Sequence, residues 1–184
     1  MPQTAQNWTV ERVLALPEDG NRYEVVDGAL LVTPSPSFHH QDAILALARR
    51  LDPLVRSSGT AYLSIAPADI EFDKHTLVQP DLFVSELPGG RRPERWTDIT
   101  RILLAVEVLS PSTAPADRHV KRRLYQRHGV PEYWIVDLDA RLVERWRPGE
   151  ERPEILCETL SWQVSGSHAP FELDLPGFFA EVRD

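Results

Sequence analysis

The sequence predicts an α/β fold in which a mixed β-sheet is flanked by helices. One long segment, residues 39–59, carries apolar residues at helical spacing, whereas most other apolar runs are short and rich in β-branched and aromatic residues. No repeat, low-complexity tract or linker divides the 184 residues, so we expect a single domain over residues 1–184. The predicted order of elements is α-β-β-α-β-β-β-β-α-β-β-β.

Composition narrows the classes of function. The single cysteine, Cys157, excludes an intramolecular disulfide and a cysteine-rich zinc framework. The sequence shows neither a signal-peptide pattern nor a long apolar span, so we expect a cytoplasmic protein with no membrane partner. The formal net charge of −8 argues against indiscriminate nucleic-acid binding, so any DNA substrate must be bound by local basic patches.

The first elements are a short helix and a hairpin. Residues 9–15 are predicted to be helical. Two β-rich runs follow, RYEVV and ALLVTP, and Asp27-Gly28 between them is the strongest hairpin signal in the chain. Glu24 lies on the first strand opposite its apolar neighbours, where the pattern alone favours an ordinary outward-facing acid.

The long helix is the most regular element. Gly59 suits its end. The adjacent His39 and His40 at its start have no third ligand at metal spacing, so we expect surface or capping residues rather than zinc ligands. Its apolar residues recur at helical spacing: Ile44, Leu47, Ala48, Leu51, Leu54 and Val55.

Residues 60–85 alternate as three antiparallel strands, the last of which contains an embedded acid. Asp81 is flanked by apolar residues in the run TLVQPDLFVSE and shares a predicted face with Gln79 and Phe83. Pro80 beside it indicates an edge position or an irregularity in the ladder.

A polar loop follows over residues 86–98. It contains Arg91, Arg92 and Arg95 and one aromatic residue, Trp96. Both a phosphate-contacting flap and a solvated loop have this composition.

Residues 102–109 form an apolar run interrupted by Glu107. The run is too short for a typical helix, so it predicts a buried central strand. A carboxylate buried there would lose several kcal/mol of hydration, roughly, unless a cation or hydrogen bonds replaced the water. The pattern also allows a glutamate at a strand end that reaches solvent or pairs with an arginine.

A helix is predicted from about Ala116 to His128, with Gly129 in the usual position of a left-handed C-cap. Val120 and Leu124 should face the core. A stripe at the margin of that face is formed by Asp117, Lys121 and Tyr125.

Lys121 is unusual in this composition. The chain holds 18 arginines and two lysines, Lys74 and Lys121, so a lysine at 121 suggests a task that a guanidinium performs poorly. A lysine at the edge of a core can also extend its ammonium to solvent, and chance can leave two lysines.

The C-terminal part is predicted to begin with a hairpin around Asp139-Ala140. One or two strands and an apolar tail that closes the core follow.

Four sequence blocks together resemble a known family. They are YEVVDGALLV, VQPDLFVSE, AVEVLSPST and the D-x3-K-x3-Y-x3-GVPEYWIVD run that begins at Asp117. From about Thr9 to Arg147 the chain is similar to the Uma-type restriction endonucleases, a bacterial branch of the PD-(D/E)XK nuclease superfamily. The resemblance implies a restriction-endonuclease-like core with an added N-terminal hairpin.

The resemblance also implies a metal site. In the superfamily the acid of the PD motif and a later glutamate bind a divalent metal, which places Mg²⁺, or Mn²⁺, on Asp81 and Glu107. The backbone carbonyl of Val108 is a further ligand implied by similarity. Carboxylate and carbonyl oxygens are hard donors that suit Mg²⁺.

The lysine departs from the usual superfamily position, where this chain has Leu109. In the Uma-type pattern the lysine lies on the following helix, which corresponds to Lys121. Glu24 matches the N-terminal acid of the family. The implied catalytic residues are therefore Asp81, Glu107, Lys121 and Glu24, with Lys121 orienting the attacking water and stabilising charge on the phosphoryl oxygens.

The expected function is Mg²⁺-dependent cleavage of DNA phosphodiester bonds. The alternative is a catalytically idle module that keeps the fold and binds nucleic acid or a protein partner. Because nucleases of this superfamily often pair to cut two strands, we also expect a homodimer. The candidate contact surface is the apolar tail with Phe171, Phe178 and Phe179.

Overall fold

A computed structural model describes residues 7–164 and 169–183. The predicted single domain extends beyond these residues at both ends. The helices are α1 (Val10–Leu14), α2 (Phe38–Ser58), α3 (Arg122–Arg127) and α4 (Leu175–Arg183). A π-helical segment, Ala116–Lys121, leads directly into α3. Among the described residues, no helix combines the length and apolarity needed to cross a bilayer.

The strands occupy most of the remaining chain. In order they are β1 (Arg22–Val26), β2 (Ala29–Thr33), β3 (Ala61–Ile65), β4 (Ile70–Asp73), β5 (Thr76–Val78), β6 (Leu82–Glu86), β7 (Ile102–Val108), β8 (Glu132–Asp137), β9 (Leu142–Trp146), β10 (Glu154–Leu156), β11 (Thr159–Trp162) and β12 (Phe171–Asp174).

The strands of the described residues form three sheets. The large sheet has the order β10-β9-β8-β7-β6-β3, and it is mixed because β7 and β8 are parallel while the other neighbours are antiparallel. A smaller antiparallel sheet has the order β2-β1-β5-β4, and β11 pairs with β12. The predicted mixed sheet with an added N-terminal hairpin is confirmed.

The large sheet separates two apolar cores. Side chains of α2 and α4 pack against one face of the sheet. The small sheet and α3 pack against the other face. Successive residues of a strand point to opposite faces, so alternate residues of β7 enter different cores. Val106 and Val108 face α2, whereas Ala105 faces α3, and Glu107 shares that second face.

Turn chemistry supports the predicted hairpin and helix ends. Asp27 and Gly28 have φ values of 50° and 79°, the left-handed pair that suits a tight hairpin. Gly59 and Gly129 end α2 and α3 at φ values of 65° and 67°, as expected of left-handed C-caps.

The predicted strand over residues 76–85 is wrong in one respect. The structure divides it into β5 and β6, which belong to different sheets. Pro80 lies at the division and has no N–H to donate to a ladder, so the chain leaves one sheet there and enters the other. Asp81 therefore lies immediately before β6 rather than inside a continuous strand.

The phenylalanines proposed as a contact surface are buried inside the protein. Phe171, Phe178 and Phe179 belong to the core between the large sheet, α2 and α4. The apolar tail closes this core, as predicted, and leaves these rings unavailable to a second copy. The homodimer itself stays a prediction.

Truncation of Phe178 tests this core. Phe178 is 1% exposed and Phe38 is 79% exposed, so Phe178→Ala creates a cavity whereas Phe38→Ala removes only surface. We expect the free energy of unfolding in urea to fall by about 3–5 kcal/mol for Phe178→Ala. The matched Phe38→Ala control should change it by less than about 0.5 kcal/mol. Equal losses in the two variants would contradict this packing.

Candidate active site

The β6-β7 pair brings the two predicted metal ligands to the same end of the sheet. The strands are antiparallel, with Leu82 opposite Val106, so the start of β6 adjoins the end of β7. Asp81 and Glu107 therefore lie near each other. The backbone N–H of Val108 donates a hydrogen bond of 2.9 Å to Asp81 Oδ2, which fixes the carboxylate against the strand end.

Lys121 joins the remaining predicted residues. Its Nζ lies 2.9 Å from Glu107 Oε1 and 2.9 Å from Glu24 Oε2. It also lies 3.6 Å from Asp117 Oδ1. Glu24 Oε1 accepts a hydrogen bond of 2.7 Å from the backbone N–H of Gln79. The structure thus brings residues from β1, β7 and the π-helical segment to one ammonium group.

The burial of these residues corrects two predictions. Glu24 is buried, not outward-facing, because its face of β1 packs towards the large sheet, whereas Val25 on the other face packs against α1. Lys121 is 1% exposed and fully inside the protein rather than at the margin of the core.

The predicted stripe of the following helix is buried as a whole. Asp117, Lys121 and Tyr125 are all buried, whereas Val120, predicted to face the core, is half-buried. Ion pairing with the acids offsets the cost of burying the ammonium of Lys121. The wider π-helical turn also changes which side chains point inward, a distortion often found at functional sites.

Two residues at Asp81 were missed by the sequence reasoning. Arg22 Nη1 lies 2.7 Å from Asp81 Oδ1, and His40 Nε2 lies 3.1 Å from Asp81 Oδ2. A signal existed for each. Arg22 is two residues from Glu24 and shares its strand face. His40 precedes Ile44 by one helical turn and so lies on the apolar face of α2, which corrects its assignment as a surface or capping residue.

Partners determine the ionisation of Asp81. Burial pushes the pKa of this carboxyl upward, but the hydrogen bond from His40 and the attraction of Arg22 outweigh burial, and the pKa lies well below its usual value. Asp81 is therefore held as the anion, the form that binds a cation.

At Glu107 and Asp117, in contrast to Asp81, burial outweighs the favourable partners and the pKa is raised. Burial raises the pKa of Glu107 well above its ordinary value; Lys121 counteracts this, and the neighbouring carboxylates raise it further. Burial likewise raises the pKa of Asp117. Burial lowers the pKa of Lys121, but attraction to the carboxylates, that of Glu107 foremost, raises it well above normal. The ammonium of Lys121 is therefore charged.

The site contains more buried negative charge than positive charge. Two permanent cations, Arg22 and Lys121, contact it, and His40 adds a charge only when it is protonated. The charge deficit of two is met by protons or by one divalent cation. We call the four carboxylates the acidic cluster: Glu24, Asp81, Glu107 and Asp117.

The donor set fits Mg²⁺. Within the described residues, no group of three or more histidine, cysteine, aspartate or glutamate side chains is placed to hold a metal ion. Mg²⁺ is commonly bound through one or two carboxylates while it keeps several waters. Asp81 and Glu107 supply two carboxylates at one strand end, and the excess negative charge favours a cation there.

A cavity of about 1010 Å³ adjoins the acidic cluster. Arg22, His40 and Asp81 line it, whereas Glu107 and Lys121 lie behind them. The arginine-containing loop, residues 86–98, does not line the cavity. This loop joins the opposite ends of β6 and β7, so its position supports the solvated-loop interpretation over a flap at the site.

The fold and the site together define a class. A mixed sheet flanked by helices, with two acids at one end of an antiparallel strand pair and a lysine behind them, is a restriction-endonuclease-like α/β architecture. A crystal structure from Anabaena variabilis, described as a "putative nuclease belonging to DUF820", has a TM-score of 0.77 to this chain at 20% sequence identity. The match covers 95% of this chain and 99% of that chain, and at this identity it shows the fold.

The family follows from the sequence comparison. The model of the Uma2 family, described as "Putative restriction endonuclease", matches residues 10–178. The chain belongs to this family. No curated protein matches the chain. The resemblance stated from the four sequence blocks is thereby confirmed.

The raised pKa values of Glu107 and Asp117 predict a pH dependence of stability. Their unfolded-state pKa values are about 4.3 and 3.9. The folded protein binds more protons above those values, so its stability is greatest below them and falls as pH rises through the folded-state pKa. In EDTA, the free energy of unfolding in urea should therefore decrease as pH rises above these unfolded-state values.

Two variants identify the residue that causes this dependence of the free energy of unfolding on pH. Glu107→Gln should make the free energy of unfolding less dependent on pH. Glu144→Gln removes another buried glutamate, one paired with Arg118 outside the acidic cluster, and should keep the wild-type slope. A dependence on pH that is unchanged in Glu107→Gln would refute a raised pKa of Glu107 in the metal-free protein.

Proposed function

We propose that this protein is a divalent-metal-dependent DNA endonuclease that uses Mg²⁺, with Mn²⁺ as a substitute. One observation carries the proposal: a buried acidic cluster with too few cations lies beside a large cavity. Burying unpaired carboxylates is costly, so a fold that retains them gains from a bound cation. Membership of the family described as restriction endonucleases supports nucleic acid as the substrate.

Asp81 and Glu107 are the proposed metal ligands, with the Val108 carbonyl as a third. A bound Mg²⁺ would supply charge neutralisation at the phosphate and an activated water. Asp81 lines the cavity and is held as an anion, so a metal ion bound to it would be accessible to a phosphate in the cavity. Glu107 lies behind the cavity wall, where Lys121 and Tyr125 approach its Oε1 at 2.9 and 3.4 Å.

Lys121 and Glu24 complete the proposed catalytic set. The 2.9 Å contact of Lys121 with Glu107 orients that carboxylate, and the contact with Glu24 ties the N-terminal hairpin to the site. The proposed role of the ammonium in the reaction is to stabilise negative charge on the phosphoryl oxygens and to help orient the attacking water. Because Lys121 does not line the cavity, this role requires the substrate to reach past Asp81. Glu24 accepts a hydrogen bond from the backbone N–H of Gln79, which fixes the carboxylate that pairs with Lys121.

The charge of the cavity makes a metal ion necessary for binding DNA. The net charge of −8 disfavours general attraction to phosphate. Three arginines line the cavity, Arg22, Arg118 and Arg183, but each is paired with a carboxylate. Five acids line it as well: Glu18, Asp69, Asp81, Asp137 and Asp139. A divalent metal at Asp81 would therefore have to supply the positive charge that attracts a backbone phosphate.

One observation favours the alternative of an idle binding module. Both oxygens of Asp81 already have partners inside the protein, Arg22 on Oδ1 and the Val108 N–H with His40 on Oδ2. A carboxylate satisfied in this way does not need a metal to be buried. Binding of nucleic acid without cleavage would support this alternative.

Plasmid cleavage separates the two functions. We expect purified protein with Mg²⁺ or Mn²⁺ to nick or linearise supercoiled DNA, and Glu107→Gln to lower the rate by roughly two or more orders of magnitude. This substitution keeps the shape of the side chain and removes its charge. The Glu144→Gln control should cut at the wild-type rate.

Two results would contradict the nuclease. One is a wild-type protein that cuts neither duplex nor single-stranded DNA with either metal. The other is a Glu107→Gln variant that cuts as fast as the wild type, which would indicate a contaminating activity or another site.

A further inference from the structure

Arg22 is placed between the acidic cluster and the cavity. It begins β1, and its side chain retains 19% exposure. Arg22 and Asp81 line the cavity, whereas Glu24 and Glu107 lie deeper. The guanidinium therefore separates the buried carboxylates from any molecule that enters the cavity.

The contacts of Arg22 are those expected of a cation that takes the place of a metal ion beside the carboxylates. Nη1 lies 2.7 Å from Asp81 Oδ1, and Nε lies 3.9 Å from Glu24 Oε2. Nε is buried and makes no hydrogen bond to any described residue. Attraction to Glu107, Asp81 and Glu24 overcomes the effect of burial and raises the pKa of Arg22. One side chain thus compensates several acids, but its hydrogen bonding is incomplete.

Asp81 has no oxygen free of internal partners, so a metal ion at this residue must compete with one of them. The Val108 N–H belongs to the backbone at the end of β7 and cannot turn away. His40 is held on α2 within the first turn of a long helix. Arg22 is a flexible, partly exposed side chain, and its positive charge repels a second cation at Asp81. Arg22 is therefore the partner that leaves most readily.

We propose that Arg22 is an exchangeable cation that neutralises Asp81 in the metal-free protein and transfers to a substrate phosphate in the cavity when a divalent metal binds Asp81. The inference rests on the proposed function. A guanidinium suits both positions, because it stays charged and its planar N–H groups donate to carboxylates and to phosphates alike. Arg22 becomes a substrate-binding residue of the loaded site.

Such an exchange couples metal binding to substrate binding. A metal ion alone must displace Arg22 without providing it with a new anion. With a phosphodiester in the cavity, the displaced guanidinium gains a partner, so the metal binds more tightly. By reciprocity, metal must raise the affinity for the oligonucleotide by the same factor.

Calorimetric titration with Mn²⁺ tests the exchange without relying on cleavage. Wild type and Arg22→Gln are titrated alone and with a short phosphorothioate oligonucleotide that resists hydrolysis. Alone, Arg22→Gln should bind Mn²⁺ about tenfold or more tightly than wild type, the scale of one lost charge-assisted contact. The oligonucleotide should raise the Mn²⁺ affinity of wild type by a larger factor than that of Arg22→Gln, which keeps only the direct attraction between metal and phosphate.

Arg118→Gln is the matched control. Arg118 also lines the cavity, but it pairs with Asp137 and Glu144 at 2.9 and 2.7 Å and does not contact the acidic cluster. The Arg118→Gln substitution removes the same charge from the same cavity. The Mn²⁺ affinity of this variant should stay within about twofold of wild type, because the removed charge does not contact the acidic cluster. If Arg22→Gln does not fold, Arg22→Lys takes its place. Its Mn²⁺ affinity is expected to exceed that of wild type, because one ammonium cannot both contact Asp81 and approach Glu24 as Nη1 and Nε of Arg22 do.

The outcomes separate this inference from the proposed function. Tighter Mn²⁺ binding confined to the Arg22 variant supports the exchange even if no DNA is cut, and the nuclease proposal then fails alone. An Arg22 variant that binds Mn²⁺ no more tightly than wild type overturns the exchange, even if wild type cleaves DNA. Equal gains in the Arg22 and Arg118 variants, or no Mn²⁺ binding by any protein, overturn it as well.

Discussion

The ion pairs of the Lys121 ammonium are the interaction on which the rest of the site depends. Nζ contacts Glu107 and Glu24 at 2.9 Å with Asp117 at 3.6 Å, in a region with almost no solvent access. Removing one partner of a buried pair commonly costs about 3–5 kcal/mol, because the other charges stay buried. The small sheet, β7 and the π-helical segment are therefore joined by electrostatics as well as by apolar packing. A variant without Lys121 would lose stability as well as any chemistry.

The acidic cluster contains more negative than positive charge, which apolar packing does not require. Its four carboxylates have two permanent cations as partners, Arg22 and Lys121. Burial raises the pKa values of Glu107 and Asp117, and the neighbouring carboxylates raise them further. A structural ion-pair network would gain stability from equal numbers of opposite charges. Local destabilisation of this kind is typical of functional sites, where the missing charge comes with a ligand. The cavity next to Asp81 gives that ligand an entrance.

Sequence reasoning predicted what local chemistry determines. The Asp27-Gly28 hairpin, the long helix α2 and the strand around Glu107 follow from turn residues and periodicity. The predictions for Glu24 and His40 were wrong because their environments depend on contacts between elements distant in sequence. The break in the 76–85 strand, in contrast, lies at Pro80, where the sequence indicated an edge position or an irregularity. The two-residue period of β1 shows that Glu24 and its neighbours face opposite sides, but not that the large sheet covers one side and α1 the other. The burial of Lys121 was likewise hidden, since its partners come from β1 and β7.

Anomalous diffraction from a crystal soaked in Mn²⁺ would show whether the acidic cluster holds a divalent metal, as we propose. We expect an anomalous peak within about 2.5 Å of carboxylate oxygens from both Asp81 and Glu107, at the distance of metal–oxygen bonds. The Arg22 guanidinium should then have left Asp81 and point into the cavity. Mn²⁺ bound elsewhere on the protein, with the Arg22–Asp81 and Lys121–Glu107 pairs unchanged, would rule out a metal site at the acidic cluster.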